Sequence, residues 1–304
     1  MNRYFEPFVG GGSTFFNMCV SNSFINDLSK DLIDLYHCVK ESNPIFMSTL
    51  KALNALWKTS FVGSDLDVHL KTLNIEACYK RHYAALMERK MGLLNMYKKL
   101  GITSVNEQSV IETARKGAIF NSIRDLYNLY EDNPQHVAFF FFMREYCYSG
   151  MFRFSKNNCF NVPYGGLSYN KKSLDKKISY MLSNEVTDYL KNTTIENMDF
   201  ENFLRKYKPD SSDFVFLDPP YDSDFSTYDG NSFGLSEHER LHKVLSYSKT
   251  RWMLLIKKTD FIKDLYADFP QIEYGKNYLV SFKNRNDKRA RHLLIVNYET
   301  KDRD

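Results

Sequence analysis

A short apolar run that ends at two adjacent prolines constrains this chain more than any other feature. Phe214 to Leu217 has the length and composition of a buried strand, and Asp218 follows it directly. Pro219 and Pro220 have no backbone N–H and fix their own φ angles, so the strand stops there and the next residues are held rigidly. The sequence therefore predicts a rigid strand end that presents one carboxylate and one carbonyl.

These two oxygen atoms suit an exocyclic amino group as their ligand. The Asp218 carboxylate and the Pro219 carbonyl can each accept one N–H of such a group, which draws its lone pair out of ring conjugation and makes the nitrogen nucleophilic. Tyr221 can stack on the ring of a base that has been turned out of a nucleic-acid helix. Asp218, Pro219, Pro220 and Tyr221 are thus candidate catalytic residues. A strand end followed by an ordinary proline turn is the alternative interpretation.

A second predicted strand, near Tyr4–Val9, runs into three glycines at positions 10–12. Glycines let the backbone turn tightly and approach a bound nucleoside closely. A further short strand over Ser23–Asn26 is followed by Asp27, and an acid at the end of a second strand commonly accepts hydrogen bonds from ribose hydroxyls. Asp27 fits equally well as the N-cap of the helix predicted over 28–40. Both interpretations stay open at this point.

Four motifs, taken in order, resemble the Dam-type DNA adenine-N6 methyltransferases of the D12 class, alpha group. They are YFEPFVGGGS at 4–13, INDLSKDLIDLY at 25–36, FNVPYGG at 160–166 and FLDPPY at 216–221. The resemblance covers residues 1–40 and about 116–300. It implies S-adenosyl-L-methionine as the methyl donor, a flipped adenine as the acceptor and double-stranded DNA as the partner.

The fold that the resemblance implies is an α/β fold, a Rossmann-like S-adenosylmethionine-dependent methyltransferase sheet with an inserted, mainly helical target-recognition region. We expect a mostly parallel sheet with strands near 4–9, 23–26, 195, 214–217 and 252–256, and a closing antiparallel hairpin of 278–282 and 292–297 with a basic tip. The expected domains are a catalytic core of 1–40 and 185–304, a helical insertion of unknown role at 41–115, and a target-recognition region at 116–184.

The resemblance also assigns site residues by position. The expected cofactor-binding residues are Glu6, Pro7, Phe8, Gly10, Gly11, Gly12 and Asp27, together with Asp199 and Phe200 as the acid-aromatic pair that lines the cofactor's adenine ring. The residues that the resemblance assigns to the target adenine are Asp218, Pro219 and Tyr221. This chemistry calls for no metal ion.

Basic and aromatic residues around FNVPYGG are the candidate DNA contacts. Basic side chains neutralise phosphates, and aromatic or rigid apolar groups can wedge into the stack that a departing base leaves open. The candidates are Arg124, Arg144, Arg153, Lys156, Asn161, Pro163 and Tyr164, with Lys171, Lys172, Lys176 and Lys177 beyond them. The carboxamides of Asn157 and Asn158 would read base edges. Each lysine alone also fits ordinary solvated surface.

One departure from the family pattern concerns the cofactor site. The family normally begins with a Lys-Trp-Ala-Gly-Gly-Lys-like segment that closes over the methionine end of the cofactor, whereas here three residues precede Tyr4. Three explanations stay open: the sequence is truncated, a partner protein chain completes the site, or the chain binds the cofactor poorly.

The helix expected after the two prolines carries a competing motif. Residues 238–242 read His-Glu-Arg-Leu-His, which on a helix would present two imidazoles to zinc. Ser236 as an N-cap with Glu239 as its capping-box partner explains the same stretch as a helix start with both histidines on the surface. A third ligand at zinc-peptidase spacing does not follow in the sequence, so a peptidase is disfavoured.

Two other classes of function stay open. The chain could be a catalytically weak or partner-dependent DNA-binding subunit of methyltransferase fold, or it could methylate an amino group of RNA or cytosine, because the same two acceptors serve any exocyclic amine. The five cysteines form no CxxC pair and suit a reducing cytoplasm. The longest apolar run, at 139–142, is far shorter than a membrane span and is expected to be buried.

Overall fold

The computed structural model describes residues 1–59, 64–101, 106–129, 132–220, 233–275 and 291–299. The chain divides into two compact units, one of Met1–His37 with Asp188–Asp304 and one of Cys38–Thr187. The regions 41–115 and 116–184 both belong to the second unit, and the separate roles that the sequence predicts for them stay predictions.

The first unit is built on a mixed sheet in which seven strands lie within the described residues, in the order β3-β2-β1-β4-β5-β7-β6. The strands are β1 (Tyr4–Glu6), β2 (Ser23–Asn26), β3 (Thr193–Glu196), β4 (Phe214–Leu217), β5 (Arg251–Lys257), β6 (Gln271–Gly275) and β7 (Arg291–Val296). The first five strands in this order are parallel, and β7 is antiparallel to both of its neighbours. The predicted α/β class with a mostly parallel sheet is confirmed.

The central strands are apolar because helices and loops of this unit cover the middle of the sheet. Phe5 of β1 lies beside Val215 of β4, which lies beside Trp252 of β5, and all three side chains are buried. Continuous apolar runs are expected of parallel strands that are buried on both faces. This row of residues forms the centre of the hydrophobic core of the first unit.

Two strands differ from the sequence prediction. β1 ends at Glu6 rather than near Val9, because the chain turns at Pro7 and Val9 N–H donates to the Asn26 carbonyl at 2.9 Å instead of continuing the ladder. β7 pairs with β6, which the apolar pattern did not predict because this edge strand is largely exposed. The predicted partner at 278–282 and the basic tip lie outside the described residues.

Helices supply the remaining regular structure. The helices within the first unit are α1 (Ser13–Met18), α10 (Phe200–Tyr207), α11 (Leu235–Ser246) and α12 (Asp260–Leu265), while α2 (Lys30–Lys40) and α9 (Asn184–Lys191) contain the two division points. Those within the second unit are α3 (Pro44–Lys58), α4 (Ser64–Thr72), α5 (Glu76–Lys99), α6 (Glu107–Leu129), α7 (Pro134–Tyr146) and α8 (Asp175–Met181).

The second unit is helical, and its longest helices pack side by side. α5 lies against α6, and α6 and α3 both lie against α7. The run at 139–142 lies in α7 and is buried, as predicted. No helix in the described part of the chain combines the length and the apolar composition that crossing a bilayer requires.

Candidate active site

The ends of β1 and β4 place the two predicted motifs side by side. The two strands are parallel neighbours, and β1 is also the point at which the strand order reverses, since β2 lies on its other side. Ligands of open α/β sheets bind at such a switch point, beyond the carboxyl ends of the strands. Glu6 ends β1 and Asp218 follows β4, and the charge of Asp218 contributes to the raised pKa of Glu6, so the two carboxyl groups are near each other.

The Asp-Pro-Pro segment is only partly accessible. Asp218 and Pro220 are exposed, whereas Pro219 is buried. A carboxylate that can meet an incoming group therefore stands beside a proline that is anchored in the protein. Tyr221 lies outside the described residues, so its stacking role stays a prediction.

Glu6 is a buried acid in this site, with 2% of its surface exposed. Its Oε2 accepts a hydrogen bond from the Tyr4 hydroxyl at 2.6 Å. Burial raises the pKa of Glu6 to about 8, against the opposing effect of the Tyr4 hydrogen bond and with a further contribution from Asp218. Its raised pKa favours the protonated form of Glu6 at neutral pH.

The glycine loop after β1 is held by side chains from two other elements. The Gly10 N–H donates to Asp27 Oδ2 at 2.9 Å, and the Tyr36 hydroxyl donates to the Gly10 carbonyl at 3.0 Å. Gly10 and Gly12 have φ angles of +49° and +71°. A Cβ at Gly12 would lie 2.5 Å from the Tyr36 hydroxyl oxygen and 2.8 Å from the Phe16 ring, whereas a Cβ at Gly10 would meet nothing within 4 Å. Gly12 is thus required by the protein's own packing, and Gly10 borders open space.

Asp27 connects the loop to the turn before α2. Its Oδ1 accepts from the Ser29 N–H at 2.9 Å, while its Oδ2 holds Gly10. The Ser29 carbonyl accepts the first helical bond, from Ile33, so Ser29 rather than Asp27 is the N-cap of α2. The half-exposed position of Asp27 is compatible with the predicted ribose contact, which stays a prediction.

Asn26 was not singled out by sequence reasoning, yet it connects three strand ends. Its Nδ2 donates to the Pro7 carbonyl at 3.0 Å and to the Met198 carbonyl at 2.9 Å, and its Oδ1 accepts from the Met198 N–H at 3.0 Å. The side chain is 1% exposed. The available signal was an amide at the end of an otherwise apolar strand, since buried amides are retained where their hydrogen bonds are satisfied.

Asp199 caps α10 and is held by an arginine from α11. Its Oδ1 accepts from the Glu201 N–H at 3.0 Å and from Arg240 at 2.8 Å, and its Oδ2 accepts from Arg240 at 2.7 Å. This two-pronged hydrogen bond to Arg240 is the main reason that the pKa of Asp199 lies below its usual range. Asp199 therefore stays ionised, and its orientation depends on Arg240, a residue that the sequence did not indicate.

Aromatic rings surround the predicted acid-aromatic pair. The Phe200 ring lies 5.3 Å from the Phe8 ring, and Phe233 lies 5.5 Å from Phe8. The Arg240 guanidinium covers Phe200 at 4.3 Å from its ring centre. The structure therefore brings together three predicted cofactor residues, namely Phe8, Asp199 and Phe200. Of the others, Pro7 is buried and Gly11 is exposed.

The predicted start of α11 is wrong by two residues. The helix begins at Leu235 with Gly234 at the N-cap position and no side-chain cap. Ser236 lies inside the first turn, so the predicted capping box of Ser236 and Glu239 does not form.

The prediction that both histidines of the His-Glu-Arg-Leu-His motif lie on the surface is wrong for His238. Its ring is fully buried and lies 4.8 Å from the Phe233 ring, and His242 is half-buried 4.9 Å from the Tyr266 ring. The i,i+4 spacing that suggested zinc also places both imidazoles on the face of α11 that packs inward. Within the residues that the structure describes, no Cys, Asp, Glu or further His joins them in a group that could hold a metal ion.

The candidate DNA contacts of the second unit centre on a segment that doubles back on itself. Tyr148 N–H donates to the Pro163 carbonyl at 2.9 Å, and Ser155 N–H donates to the Cys159 carbonyl at 2.8 Å. Isolated bridges between Cys147 and Tyr164 and between Phe154 and Phe160 complete this arrangement, which we call the 147–164 hairpin. Residues 156–158 are exposed at its tip.

The hairpin brings some of the predicted residues together, and others form hydrogen bonds within the second unit. Arg153 Nε donates to Asn161 Oδ1 at 2.9 Å, and Pro163 is exposed. The Tyr164 hydroxyl donates to Asn170 at 2.8 Å, and its ring packs 5.5 Å from Trp57. Tyr164 is therefore a structural residue in its main contacts.

Other predicted basic residues lie on helices or in ion pairs. Arg124 lies on α6 and Arg144 on α7, both half-buried. Lys172 and Lys177 both pair with Glu145, at 3.0 and 2.7 Å, so one carboxylate compensates part of their positive charge within the unit. Lys156, Lys171 and Lys176 are exposed, and the phosphate contact of Lys156 at the hairpin tip stays a prediction.

Comparisons with known proteins agree with the motifs. The type II methyltransferase M.CviBI of Paramecium bursaria Chlorella virus NC1A is 38% identical over 172 residues, which cover 55% of this chain and 63% of the viral protein, less than two thirds of its length. The type II methyltransferases M1.LlaDCHI of Lactococcus lactis subsp. cremoris and M.MjaIII of Methanocaldococcus jannaschii are 25% and 27% identical over 98% of this chain and 87% and 89% of their own lengths. The family model of the D12 class N6 adenine-specific DNA methyltransferases matches residues 1–280. This chain belongs to that family.

Proposed function

We propose that the chain transfers a methyl group from S-adenosyl-L-methionine to the N6 amino group of an adenine that has been turned out of double-stranded DNA. The observation that carries this proposal is the adjacency of the glycine loop after β1 and the Asp-Pro-Pro segment after β4, at the point where the strand order of the sheet reverses. Family membership supports the class of reaction.

The cofactor fits the residues at the ends of β1, β2 and β3. Gly10 borders open space in a loop with positive φ, and Asp27 is half-exposed. Phe8 lies beside Phe200, which directly follows the ionised Asp199. We assign the ribose hydroxyls to Asp27 and the adenine ring of the cofactor to Phe8, Asp199 and Phe200. When bound, the cofactor supplies an electrophilic methyl group.

Asp218 and Pro219 then hold the amino group of the target base. The exposed carboxylate accepts one N–H, and the carbonyl of the anchored proline accepts the other, so the nitrogen is aligned and its lone pair is turned outward. The amino nitrogen must lose one proton when it gains a methyl group, and Asp218 is the charged acceptor beside it. Glu6 contributes by remaining protonated, because a second negative charge in this position would repel the Asp218 carboxylate.

The 147–164 hairpin supplies the proposed DNA contact of the second unit. Lys156 would neutralise a phosphate, and Asn157 and Asn158 stand exposed beside it, where carboxamides can pair with base edges. Arg153 and Asn161, joined to each other, lie farther along the same hairpin.

The test is methyl transfer from labelled S-adenosylmethionine to unmethylated DNA of mixed sequence, followed by digestion and identification of the modified nucleoside. We expect N6-methyldeoxyadenosine from the wild type, and a rate at least about 100-fold lower from Asp218→Ala, the cost of losing one hydrogen-bonding group at a reacting centre. Asp264→Ala, an exposed acid on α12, is the matched control. N4-methyldeoxycytidine, a methylated ribonucleoside, or no product even with added partner proteins would contradict the proposal.

A further inference from the structure

We propose that α5 and α6 of the second unit carry a binding site for one divalent transition-metal ion of the Zn²⁺ class, formed by Cys78, His82 and Asp125. The three residues offer a thiol sulfur, an imidazole nitrogen and a carboxylate oxygen, and these atoms all lie within 4.8 Å of one another. The methyl-transfer chemistry proposed above makes no use of them. The inference is therefore independent of the proposed function.

The helices explain why these side chains converge. Cys78 and His82 lie four positions apart on α5 (i and i+4), a spacing that puts both on one face of a helix. That face is turned to α6, because both side chains contact Asp125 there. Two packed helices hold the three ligands more rigidly than a loop would, which favours a defined coordination geometry.

The distances require little movement to admit a metal ion. Cys78 Sγ lies 3.2 Å from Asp125 Oδ2, and His82 Nε2 lies 2.8 Å from the same oxygen. Ligands of a tetrahedral zinc ion, at bond lengths of about 2.0–2.3 Å, are separated from one another by about 3.3–3.8 Å. The two pairs that include Asp125 would need to separate by less than about 1 Å, and Cys78 Sγ and His82 Nε2, which lie within 4.8 Å of each other, would come to the same range. Water would be the fourth ligand.

The donor set also selects the class of ion. A thiolate and an imidazole favour Zn²⁺, Co²⁺, Ni²⁺ and Cu²⁺ over Mg²⁺ and Ca²⁺, which prefer oxygen ligands. A thiolate and a carboxylate together neutralise a divalent charge. All three residues are half-buried, so an ion can reach them from solvent. A cysteine binds such an ion as the thiolate, so binding at Cys78 displaces the thiol proton into solution.

Arg81 is the competing cation at this site. Its guanidinium donates to Asp125 Oδ2 at 3.1 Å and to Cys78 Sγ at 3.3 Å. The Arg81 side chain is 70% exposed, so it can swing into solvent when an ion enters. Removing Arg81 should therefore strengthen metal binding. If Cys78, His82 and Asp125 serve only to hold the Arg81 side chain, its removal should leave the metal affinity unchanged.

The experiment is a titration of the full chain with Co²⁺, followed by absorption spectroscopy. We expect one equivalent to bind with the near-ultraviolet band of a cobalt–thiolate bond, the band to disappear on addition of Zn²⁺, and about one proton to be released per ion. Cys78→Ser should abolish the band. Cys159→Ser, which removes an exposed thiol at the base of the hairpin tip, should leave it unchanged.

Two further variants keep the test decisive if Cys78→Ser does not fold. Asp125→Asn should weaken Co²⁺ binding by about tenfold or more. Loss of an outer-shell partner already costs about tenfold, and Asp125 is proposed as a direct ligand. Arg81→Ala, at a mostly exposed position, should tighten it. The proposal is overturned if the wild type shows no cobalt–thiolate band, if the band survives Cys78→Ser, or if Arg81→Ala leaves the affinity unchanged.

Discussion

The strand ends of the first unit and the hairpin tip of the second unit present their candidate residues in opposite ways. At the strand ends, buried and half-buried polar groups are bonded to one another: Asn26 joins two neighbouring loops, Glu6 accepts from Tyr4, and Arg240 fixes Asp199. At the tip, residues 156–158 are exposed, and main-chain hydrogen bonds hold the segment. Substitutions at the strand ends should thus act through position and charge over several residues, and those at the tip should act one at a time.

Gly12→Ala should produce the largest effect, because it attacks the packing of the strand-end region. A left-handed conformation costs a residue with a Cβ about 1–2 kcal/mol, and overpacking adds about 1–3 kcal/mol. We expect the free energy of unfolding to fall by about 3–4 kcal/mol in urea titrations. Gly10→Ala has the same kind of φ angle but no neighbour for its Cβ, so it should lose only about 1 kcal/mol. Equal losses of stability at the two positions would contradict the conclusion that Gly12 is required by packing and that Gly10 borders open space.

Glu6→Gln should change how stability depends on pH. Folded Glu6 keeps its proton up to about pH 8, whereas the unfolded side chain loses it near 4.5, so the wild type loses stability as the pH rises through this window. Glutamine keeps an acceptor for the Tyr4 hydroxyl and cannot ionise. At pH 9 the variant should therefore have gained several kcal/mol of stability over the wild type, relative to their difference at pH 4, because each unit of pKa shift corresponds to about 1.4 kcal/mol. Glu239→Gln, an exposed glutamate of α11, is the control, and parallel pH curves for wild type and Glu6→Gln would contradict the assignment.

Arg240→Ala should weaken cofactor binding while sparing the chemical step. Without Arg240, the Asp199 carboxylate loses its orientation and the guanidinium no longer covers the Phe200 ring. We therefore expect KM for S-adenosylmethionine to rise about tenfold, which corresponds to about 1.4 kcal/mol of binding free energy, while kcat stays nearly unchanged. Arg240→Lys should recover only part of the loss, because lysine cannot bind both carboxylate oxygens in the same fork. Arg205→Ala, which pairs with Glu201 at 2.6 Å from an exposed position, is the control. A fall in kcat at unchanged KM would place Arg240 in the chemical step instead.

Lys156→Ala should give the smallest effect and the one most sensitive to salt. If Lys156 contacts one phosphate, the variant should bind DNA a few-fold more weakly, and the slope of log affinity against log salt should fall by about 1. Lys172→Ala is the comparison, because Glu145 already compensates Lys172. Equal salt slopes in wild type and Lys156→Ala would remove the hairpin tip from the DNA interface.

Local patterns in the sequence were enough to predict the parallel strands and the glycine loop. The apolar runs at 23–26 and 214–217 became β2 and β4 because central strands bury both faces. β6 could not be predicted in this way, since an edge strand buries little and shows a weak pattern. The start of α11 was misplaced because a serine near a helix start fits several cap positions by sequence alone.

The missed parts of the site depend on partners that are remote in sequence. Arg240 and its partner Asp199 are 41 positions apart in the sequence, and Asn26 and its partner Met198 are 172 positions apart. No local periodicity reports such pairs. The motifs predicted which acids and glycines lie at the strand ends, and only the fold shows which polar side chains hold them there.

The most direct test of the proposed site is calorimetric binding of S-adenosylmethionine to Asp218→Ala and Gly10→Val, with single-turnover methyl transfer measured on the same samples. Asp218→Ala should bind the cofactor with nearly the wild-type Kd and transfer no methyl group, whereas Gly10→Val should lose cofactor binding itself. Normal turnover by Asp218→Ala, or an unchanged Kd for Gly10→Val, would contradict the claim that the ends of β4 and β1 divide base activation and cofactor binding between them.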